Sequence, residues 1–245
     1  MRVIEAEDYQ ELSNLAADYF INKIKENPEI TLGLATGGTP KGTYKKMVED
    51  HAKHGTSYRR VTTFNLDEYV GLGSDHPNSY HQFMETHLFK DIDLPSTQKH
   101  LPNGIALDIN KECIEYEQAI ERSGGIDVQL LGLGSNGHIG FNEPGTAFET
   151  RTHVVELAPS TRQANARFFN HADEVPQRAI TMGISTIMQS KEIVLLVSGE
   201  SKHHALKELL IRQSDEGFPA SVLTKHPHVT IIADRSALSG IPVNG

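Results

Sequence analysis

The sequence predicts an α/β protein: an open, mostly parallel twisted sheet with helices on both faces, Rossmann-like, and a ligand site at the carboxyl ends of its strands. Two observations support this fold class. Four short apolar runs, typical of strands buried on both faces, each lead through a turn into a segment of helical periodicity. Polar residues suited to chemistry follow several of these runs. We expect one domain over residues 1–245, because no linker, repeat or low-complexity segment interrupts the pattern.

Composition restricts the partners and the compartment. The 245 residues are 22% charged and 38% hydrophobic, which is ordinary for a globular protein, and their formal net charge is -9. That charge argues against nucleic acid or an anionic membrane as the main partner. The single cysteine, Cys113, excludes an internal disulfide, and the chain shows neither a signal peptide nor a membrane-spanning run. We therefore expect a cytoplasmic protein that binds a small molecule.

Predicted helices and strands alternate along the first half of the chain. Apolar residues at helical spacing predict a helix over residues 8–26, which Asn27-Pro28 ends. The elements predicted next are a strand at 30–35, a helix at 44–54, a strand at 61–65, a helix at 79–89, a helix at 109–122 and a strand at 126–131.

The second half continues the alternation. Its predicted elements are a strand at 152–157, a short helix at 159–169, a helix at 179–189, a strand at 192–197, a helix at 203–212 and a strand at 229–233 that ends at Asp234. The prediction for 179–189 depends on the helical spacing of four apolar residues, namely Ile180, Ile184, Ile187 and Met188.

Residues 36–43, Thr-Gly-Gly-Thr-Pro-Lys-Gly-Thr, join a predicted strand to a predicted helix and could cradle an anion. Free backbone N–H groups, hydroxyls and the helix dipole would all favour a negatively charged ligand there. The Gly-Lys-Ser/Thr ending of a nucleotide-binding P-loop is absent at the required spacing. A tight strand-to-helix turn without a ligand accounts for these residues equally well.

The stretch richest in chemistry is residues 131–145, Leu-Gly-Leu-Gly-Ser-Asn-Gly-His-Ile-Gly-Phe-Asn-Glu-Pro-Gly. Its glycines leave room for a ligand, while Asn136, His138 and Glu143 supply an amide, a proton carrier at neutral pH and a carboxylate. The glycines also fit G-x-G-x-x-G, but Gly140 and Pro144 follow where that fingerprint requires a helix. We therefore expect no dinucleotide cofactor.

Two further strand ends carry ionisable residues, Asp67 and Lys202. Each alone could be a helix cap or a solvated charge. Because the carboxyl ends of parallel strands meet at one edge of a sheet, we expect both to converge with the 36–43 loop and the 131–145 stretch. None of the 13 histidines has zinc-site spacing, and H-E-x-x-H and C-x-x-C are missing, so we expect no metal.

Four motifs resemble the glucosamine-6-phosphate deaminase family: Leu-Gly-Leu-Ala-Thr-Gly-Gly-Thr-Pro (32–40), Asn-Leu-Asp-Glu-Tyr (65–69), Gly-Ser-Asn-Gly-His-Ile-Gly-Phe-Asn-Glu-Pro (134–144) and Thr-Arg-Gln-Ala-Asn-Ala-Arg-Phe-Phe (161–169). They follow the family's order and span nearly the whole chain. The resemblance implies conversion of glucosamine 6-phosphate and water to fructose 6-phosphate and ammonia in amino-sugar catabolism. It also implies that no cofactor is needed, because every step is a proton transfer or an addition on the sugar.

The resemblance implies roles for individual residues as well. His138 would open the sugar ring, and Glu143, with Asn136 to a lesser degree, would orient its imidazole. Asp67 would be the base that removes the C2 proton. The phosphate would be bound by Thr36, Gly37, Gly38, Thr39, Arg167 and Lys202, and the sugar by Tyr80 and Gly137.

Two other functions are alternatives to the deaminase. A 6-phosphogluconolactonase, which is a hydrolase, would use the same Gly/Thr loop and a motif histidine, but Asp67 would then have no evident task. A non-enzymatic sugar-phosphate sensor would carry an N-terminal helix-turn-helix. The roughly 30 residues before the first motif supply only one helix and one strand.

Two departures from the family pattern concern charge. Some members have an aspartate where this chain has Asn136, which removes one formal charge from the ring-opening group and leaves its pH optimum open. Allosteric hexameric members place basic residues just past the Glu-Pro motif, where this chain has His153 and Val155.

We therefore predict no activation by N-acetylglucosamine 6-phosphate, and a monomer or small homo-oligomer rather than an allosteric hexamer. Initial rates against glucosamine 6-phosphate should follow a hyperbola with or without this compound, because the cations that would bind an activator's phosphate are absent. A sigmoidal curve that becomes hyperbolic when the compound is added would contradict the prediction.

Overall fold

A seven-stranded parallel sheet forms the centre of the computed structural model, which describes residues 1–166, 169, 171 and 174–241. The strands are β1 (Arg2–Ala6), β2 (Thr31–Leu34), β3 (Thr62–Asn65), β4 (Asp67–Tyr69), β5 (Lys99–His100), β6 (Val128–Gly132), β7 (His153–Glu156), β8 (Arg178–Thr181), β9 (Glu192–Val197) and β10 (Val229–Asp234). Seven of them form this sheet in the order β1-β10-β9-β6-β2-β3-β5, with every neighbouring pair parallel. The predicted fold class is confirmed.

Helices cover both faces of the sheet. They are α1 (Tyr9–Glu26), α2 (Lys41–His54), α3 (Tyr80–His87), α4 (Ile109–Arg122), α5 (Pro159–Asn165), α6 (Ile184–Met188), α7 (His203–Ile211) and α8 (Arg235–Leu238). Side-chain oxygens of Asp8, Ser79, Asp108 and Asp234 cap the starts of four of them. The central strands β2, β6 and β9 are buried along almost their whole length, as strands between two helical layers must be. No helix in the described ranges is long and apolar enough to cross a membrane.

The strand order reverses at β2. From β2 the chain moves outward through β3 to β5, and it then returns to place β6 on the other side of β2. The loops that leave β2 and β6 at their carboxyl ends therefore turn to opposite faces and open a crevice between them. This crevice lies where the sequence placed the anion cradle and the 131–145 stretch.

A second, antiparallel sheet of three strands, β4-β8-β7, begins where β3 ends. One residue, Leu66, separates β3 from β4, and Asp67 of β4 lies opposite Thr181 of β8. Asp67 is therefore a strand residue whose direction is set by pairing.

The predicted helix at 179–189 is wrong in its first half, where the chain forms β8, and only α6 is helical. Ile180 fits helical spacing, but its backbone pairs with Glu68 of β4 on one side and Val154 of β7 on the other. Pairing between distant segments has overridden a local pattern, as it does where short apolar runs are ambiguous.

The other differences are at element boundaries and edges. The sequence analysis missed the edge strand β1, the three-residue strand β4 and the two-residue strand β5, which are short and rich in polar residues. Helix α2 begins at Lys41, before its predicted start, and α3 ends at His87. Helix α5 covers the first part of the predicted 159–169 helix, and Arg167 lies outside the described residues.

A buried carboxylate, Glu117 of α4, forms hydrogen bonds with two segments next to the second sheet. It is 6% exposed and accepts hydrogen bonds from Thr152 N (2.7 Å), Thr152 Oγ1 (2.5 Å) and Thr186 Oγ1 (2.6 Å). The Arg151 guanidinium donates to it from 2.8 Å. Glu117 thus ties the chain entering β7, and helix α6, to α4.

We predict that Glu117→Ala lowers the free energy of unfolding by about 3 kcal/mol, because it leaves these donors without their shared acceptor. Urea unfolding measures the change. Glu121→Ala is the matched control, since Glu121 also pairs with Arg151 but is exposed, and its loss should cost less than about 0.5 kcal/mol. Equal losses in the two variants would contradict the role given to Glu117.

Candidate active site

Two tyrosines form hydrogen bonds with the backbone of the loop after β2. The Tyr9 hydroxyl donates to Gly38 O (3.2 Å) and Thr39 O (3.1 Å) and accepts from Gly42 N (2.9 Å). The Tyr44 hydroxyl donates to Ala35 O (2.5 Å) at the end of β2. These bonds to backbone carbonyl and N–H groups fix the conformation of the loop. A Cβ placed on Gly37 or Gly38 would meet no atom within 4 Å beyond its chain neighbours, so the loop can receive a ligand without rearranging.

Asp67, the first residue of β4, is only 7% exposed. Burial raises the pKa of Asp67 to about 8, and the neighbouring Glu68 carboxylate adds to the increase. A carboxyl group with this pKa can both accept and release a proton near neutral pH. Gly140 lies beside it, since a Cβ placed on Gly140 would be 3.8 Å from Asp67 Oδ2.

Strand β8 connects Asp67 to the 131–145 stretch. Thr181 of β8 lies opposite Asp67, and its Oγ1 accepts a hydrogen bond from Phe141 N (3.1 Å). The next residue, Met182, accepts from Asn142 Nδ2 (2.9 Å). The separation between the Asp67 carboxyl and the histidine-bearing loop is thus set by direct bonds to one strand.

A chain of hydrogen bonds leads to the His138 imidazole. Thr161 Oγ1 donates to Glu143 Oε1 (2.5 Å), Asn136 Nδ2 donates to Glu143 Oε2 (2.7 Å), and Asn136 Oδ1 lies 2.7 Å from His138 Nδ1. The Glu143 oxygen is itself 3.7 Å from that nitrogen. Asn136 is therefore the direct partner of the ring, and Glu143 acts through it. This reverses the weights that the sequence analysis gave to the two residues.

The same chain of bonds assigns the tautomer of His138. Because the Asn136 amide nitrogen is engaged by Glu143, its oxygen faces the ring, and His138 Nδ1 must carry the hydrogen. Nε2 is then the unprotonated ring nitrogen, whose lone pair can accept a proton. Burial lowers the pKa of His138, Glu143 opposes this shift, and Lys202 adds to the lowering, so the ring is a neutral base at neutral pH.

Two glycines of the stretch are required by close approach. A Cβ on Gly134 would lie 2.4 Å from the His138 ring, and a Cβ on Gly137, whose φ is +85°, would lie 2.3 Å from the Phe218 ring. Any side chain at Gly134 would displace the imidazole. Gly137 O also accepts from Ala220 N (2.8 Å), which fastens the loop from its other side.

Lys202 follows β9 through a turn that Asp234 stabilises. Both Asp234 carboxylate oxygens accept from Gly199 N (3.1 and 3.0 Å), and Ser198 Oγ donates to Oδ2 (2.5 Å). Asp234 also caps α8 by accepting from Ala237 N (2.8 Å). The Lys202 ammonium contributes to the lowered pKa of His138, so the two groups interact electrostatically.

Tyr80 forms the side of the crevice next to the 36–43 loop. Its hydroxyl interacts with the Thr36 and Tyr69 side chains, and burial raises its pKa, so the phenol is neutral. Its ring lies 4.8 Å from that of Tyr69 and stacks on Phe141 at 6.2 Å. A cavity of about 260 Å³ continues from here along α3.

The structure joins Asn136, His138 and Glu143 by hydrogen bonds, places Gly140 of the same loop beside Asp67 and brings Tyr80 to Thr36. Arg167 lies outside its described part. Sequence reasoning missed Tyr9, Tyr44, Thr161 and Glu68. Thr161 and Glu68 lie inside quoted motifs, which were their only signal. The two tyrosines lie on helices, and residue spacing does not reveal the contact of these helices with the loop. The described residues contain no group of three or more side chains that could hold a metal ion.

Comparison with known proteins identifies relatives along the whole chain. The family model for glucosamine-6-phosphate isomerases and 6-phosphogluconolactonase matches residues 5–232. A glucosamine-6-phosphate deaminase of Geobacillus sp. (strain WCH70) is 59% identical over 242 residues, or 99% of this chain and 96% of the relative. Glucosamine-6-phosphate deaminase 1 of Bacillus subtilis (strain 168) is 52% identical over 239 residues, or 98% of this chain and 99% of the relative.

Solved structures agree with these matches. A monomeric glucosamine-6-phosphate deaminase has a TM-score of 0.96 at 52% identity, covering 98% of this chain and 99% of that chain. A 6-phosphogluconolactonase from Trypanosoma cruzi has a TM-score of 0.80 at 22% identity, covering 98% of this chain and 96% of that chain, and this likeness shows the fold alone.

Because the pKa of Asp67 is raised, the free energy of unfolding should depend on pH. Between its unfolded pKa near 4 and its folded pKa of about 8, the folded protein binds a proton that the unfolded chain does not, so wild-type stability falls as the pH rises through this window. Asp67→Asn cannot ionise at this position. The free energy of unfolding of this variant minus that of the wild type should therefore increase by roughly 3 kcal/mol between pH 5 and pH 9. Urea unfolding at both pH values measures this. The exposed Asp18→Asn variant should show no such growth, and a constant difference for Asp67→Asn would contradict the assignment.

Proposed function

The chain belongs to the glucosamine-6-phosphate isomerase and 6-phosphogluconolactonase family, and we propose that it is a deaminase that converts D-glucosamine 6-phosphate and water to D-fructose 6-phosphate and ammonia. The observation that carries the proposal is the presence of two different proton-transfer groups at one crevice: a neutral His138 and an Asp67 of raised pKa. Relatives at 52–59% identity are named for this activity. Isomerisation of an amino sugar needs two such groups, whereas hydrolysis of a lactone leaves Asp67 without a task.

Ring opening is assigned to His138. Its Nε2 lone pair accepts the proton of the anomeric hydroxyl and returns a proton to the ring oxygen, so that the ring C–O bond breaks and C1 becomes an aldehyde. The bond from Nδ1 to Asn136 holds the imidazole in the tautomer this step requires. Glu143 stabilises the imidazolium that forms, since it lies close and carries the opposite charge.

Isomerisation is assigned to Asp67. Its carboxylate takes the C2 proton to give a C1–C2 enolamine and then delivers a proton to C1, which leaves an imine at C2. Water adds to C2, and ammonia departs as the C2 carbonyl forms. A pKa of about 8 suits this role, because the group must bind the proton long enough to move it by one carbon.

The phosphate is proposed to bind to the loop after β2, through the backbone of Gly37 and Gly38 and the hydroxyls of Thr36 and Thr39. Lys202 supplies a point charge, and Arg167, outside the described part of the chain, is proposed as a planar partner. These cations overcome the negative net charge locally. Tyr80 and Gly137 border the space for the sugar, and binding at the remote phosphate holds C1 and C2 near the two bases.

The remaining properties follow from this chemistry and from the relatives. Every step is a proton transfer, an addition or an elimination on the substrate, so we propose that no cofactor takes part. The monomeric deaminase of similar structure supports a monomer. We further propose that residues 1–245 act as one domain and that the enzyme works in amino-sugar breakdown in the cytoplasm.

The proposal predicts equimolar ammonia and fructose 6-phosphate from glucosamine 6-phosphate, without added metal or nucleotide. Asp67→Asn should lower kcat by roughly 10³-fold with little change in KM, because the variant lacks the C2 base but keeps the phosphate site. Coupled assays for both products measure this, and Asp18→Asn on the surface of α1 is the matched control.

Other outcomes separate the alternatives. Full activity in Asp67→Asn would keep the function but move the C2 base to another residue. Absence of ammonia together with hydrolysis of 6-phosphogluconolactone would identify the lactonase instead. Binding of sugar phosphates without turnover of either substrate would identify a sensor.

A further inference from the structure

Glu68, the residue after the proposed base, is a fully buried carboxylate that takes no part in the proposed proton transfers. Its exposure is 0%. It accepts hydrogen bonds from three backbone N–H groups, those of Tyr69 (2.8 Å), Tyr80 (3.0 Å) and His81 (3.0 Å). The His81 ring nitrogen Nδ1 lies 2.8 Å from Glu68 Oε2. Burying a charge is costly unless every oxygen is satisfied, and here each is.

Two of these donors belong to the first turn of α3. The N-terminus of a helix presents unpaired N–H groups and a positive dipole end, so it stabilises a carboxylate in its charged form. Glu68 is therefore a fixed negative charge held by α3. Tyr80 is the first residue of this helix, so the same bonds fix the backbone of Tyr80, whose side chain borders the proposed sugar site.

Asp67 has the opposite surroundings. Successive residues of a strand point to opposite faces, so Asp67 faces the crevice while Glu68 faces the start of α3. In the described part of the chain, the titratable side chains of other elements that interact with Asp67 are the phenols of Tyr44 on α2, Tyr80 on α3 and Tyr116 on α4. Burial raises the pKa of each, so all three are neutral. Among the residues that the structure describes, Glu68 is the charged neighbour that adds to the raised pKa of Asp67.

We propose that Glu68 is a positioning residue for the deaminase reaction: it fastens the first turn of α3 to β4, and its fixed charge beside Asp67 lets Asp67 keep the proton that it takes from C2. The inference rests on the proposed function, in which Asp67 carries that proton to C1. Two adjacent carboxylates in different environments thereby divide the work, one holding a charge and the other a proton. Glu68 thus acts on both the position of α3 and the proton affinity of Asp67.

Glu68→Gln is the test, because glutamine removes the charge while its one amide oxygen still accepts from one of the two α3 N–H groups, which bond to different oxygens of Glu68. Without a like charge beside it, Asp67 should ionise at a pH lower by about one unit. The low-pH limb of kcat/KM, where Asp67 must lose its proton to act as a base, should move downward by the same amount. Infrared difference spectroscopy of the protonated carboxyl, assigned with Asp67→Asn, measures the Asp67 midpoint without any turnover.

Two further variants separate charge from structure. Glu117→Gln is the matched control, since it also neutralises a buried carboxylate with several donors and should lower stability without moving the Asp67 midpoint. Glu68→Asp keeps the charge but shortens the reach to α3. It should leave the midpoint close to that of the wild type while the amides of Tyr80 and His81 exchange hydrogen faster, with a raised KM. It also replaces Glu68→Gln as the test if that variant does not fold.

The outcomes distinguish the two proposals. An unchanged Asp67 midpoint in Glu68→Gln, or unchanged amide exchange and KM in Glu68→Asp, would overturn the role of Glu68 while the wild type still releases ammonia. If the wild type releases no ammonia, the proposed function fails, and the part given to Glu68 in proton transfer fails with it, whatever the infrared midpoint shows. A downward shift in Glu68→Gln that Glu117→Gln lacks, in an active enzyme, supports the proposal.

Discussion

Strand β8 is the constraint on which the site depends. Its backbone pairs with β4, which carries Asp67, while Thr181 at its end and the following Met182 accept hydrogen bonds from Phe141 and Asn142 of the histidine-bearing loop. The carboxyl group and the imidazole come from segments about 70 residues apart, on loops that leave different strands of the main sheet. Only a third element bonded to both can hold them at a constant separation, and a small antiparallel sheet placed across the carboxyl edge does this.

Burial is the shared physical cause of the chemistry in the crevice. It raises the pKa of Asp67 to about 8 and lowers that of His138, because burial disfavours the charged form of both groups. In each case the neutral form is favoured, which suits a site that must hold and release protons. The relay from Thr161 through Glu143 and Asn136 then supplies what burial cannot, a defined orientation for the ring.

The sequence was sufficient for the fold class and for most of the site, because apolar runs ending in glycine and polar residues are local signals. It failed where a local signal conflicted with distant pairing. Ile180 and its neighbours have helical spacing, but β4 and β7 offer their backbones hydrogen bonds on both sides, so the segment is a strand. The order of Asn136 and Glu143 around the ring, and the contact between Glu68 and α3, depend on loop geometry that residue spacing does not encode.

The position of β1 at the sheet edge has a consequence for how the protein is made. β1 pairs with β10, so that Arg2 lies opposite Thr230, and closing this pair encloses almost the entire chain. Strands β2, β3 and β6, which form the crevice, can pair with one another before β10 has left the ribosome, whereas β1 must wait for it. Asp234, at the end of β10, arrives at the same moment, and with it the bonds that hold the turn before Lys202. We therefore expect the turn before Lys202, one of the two cations proposed for the crevice, to be fixed late during synthesis.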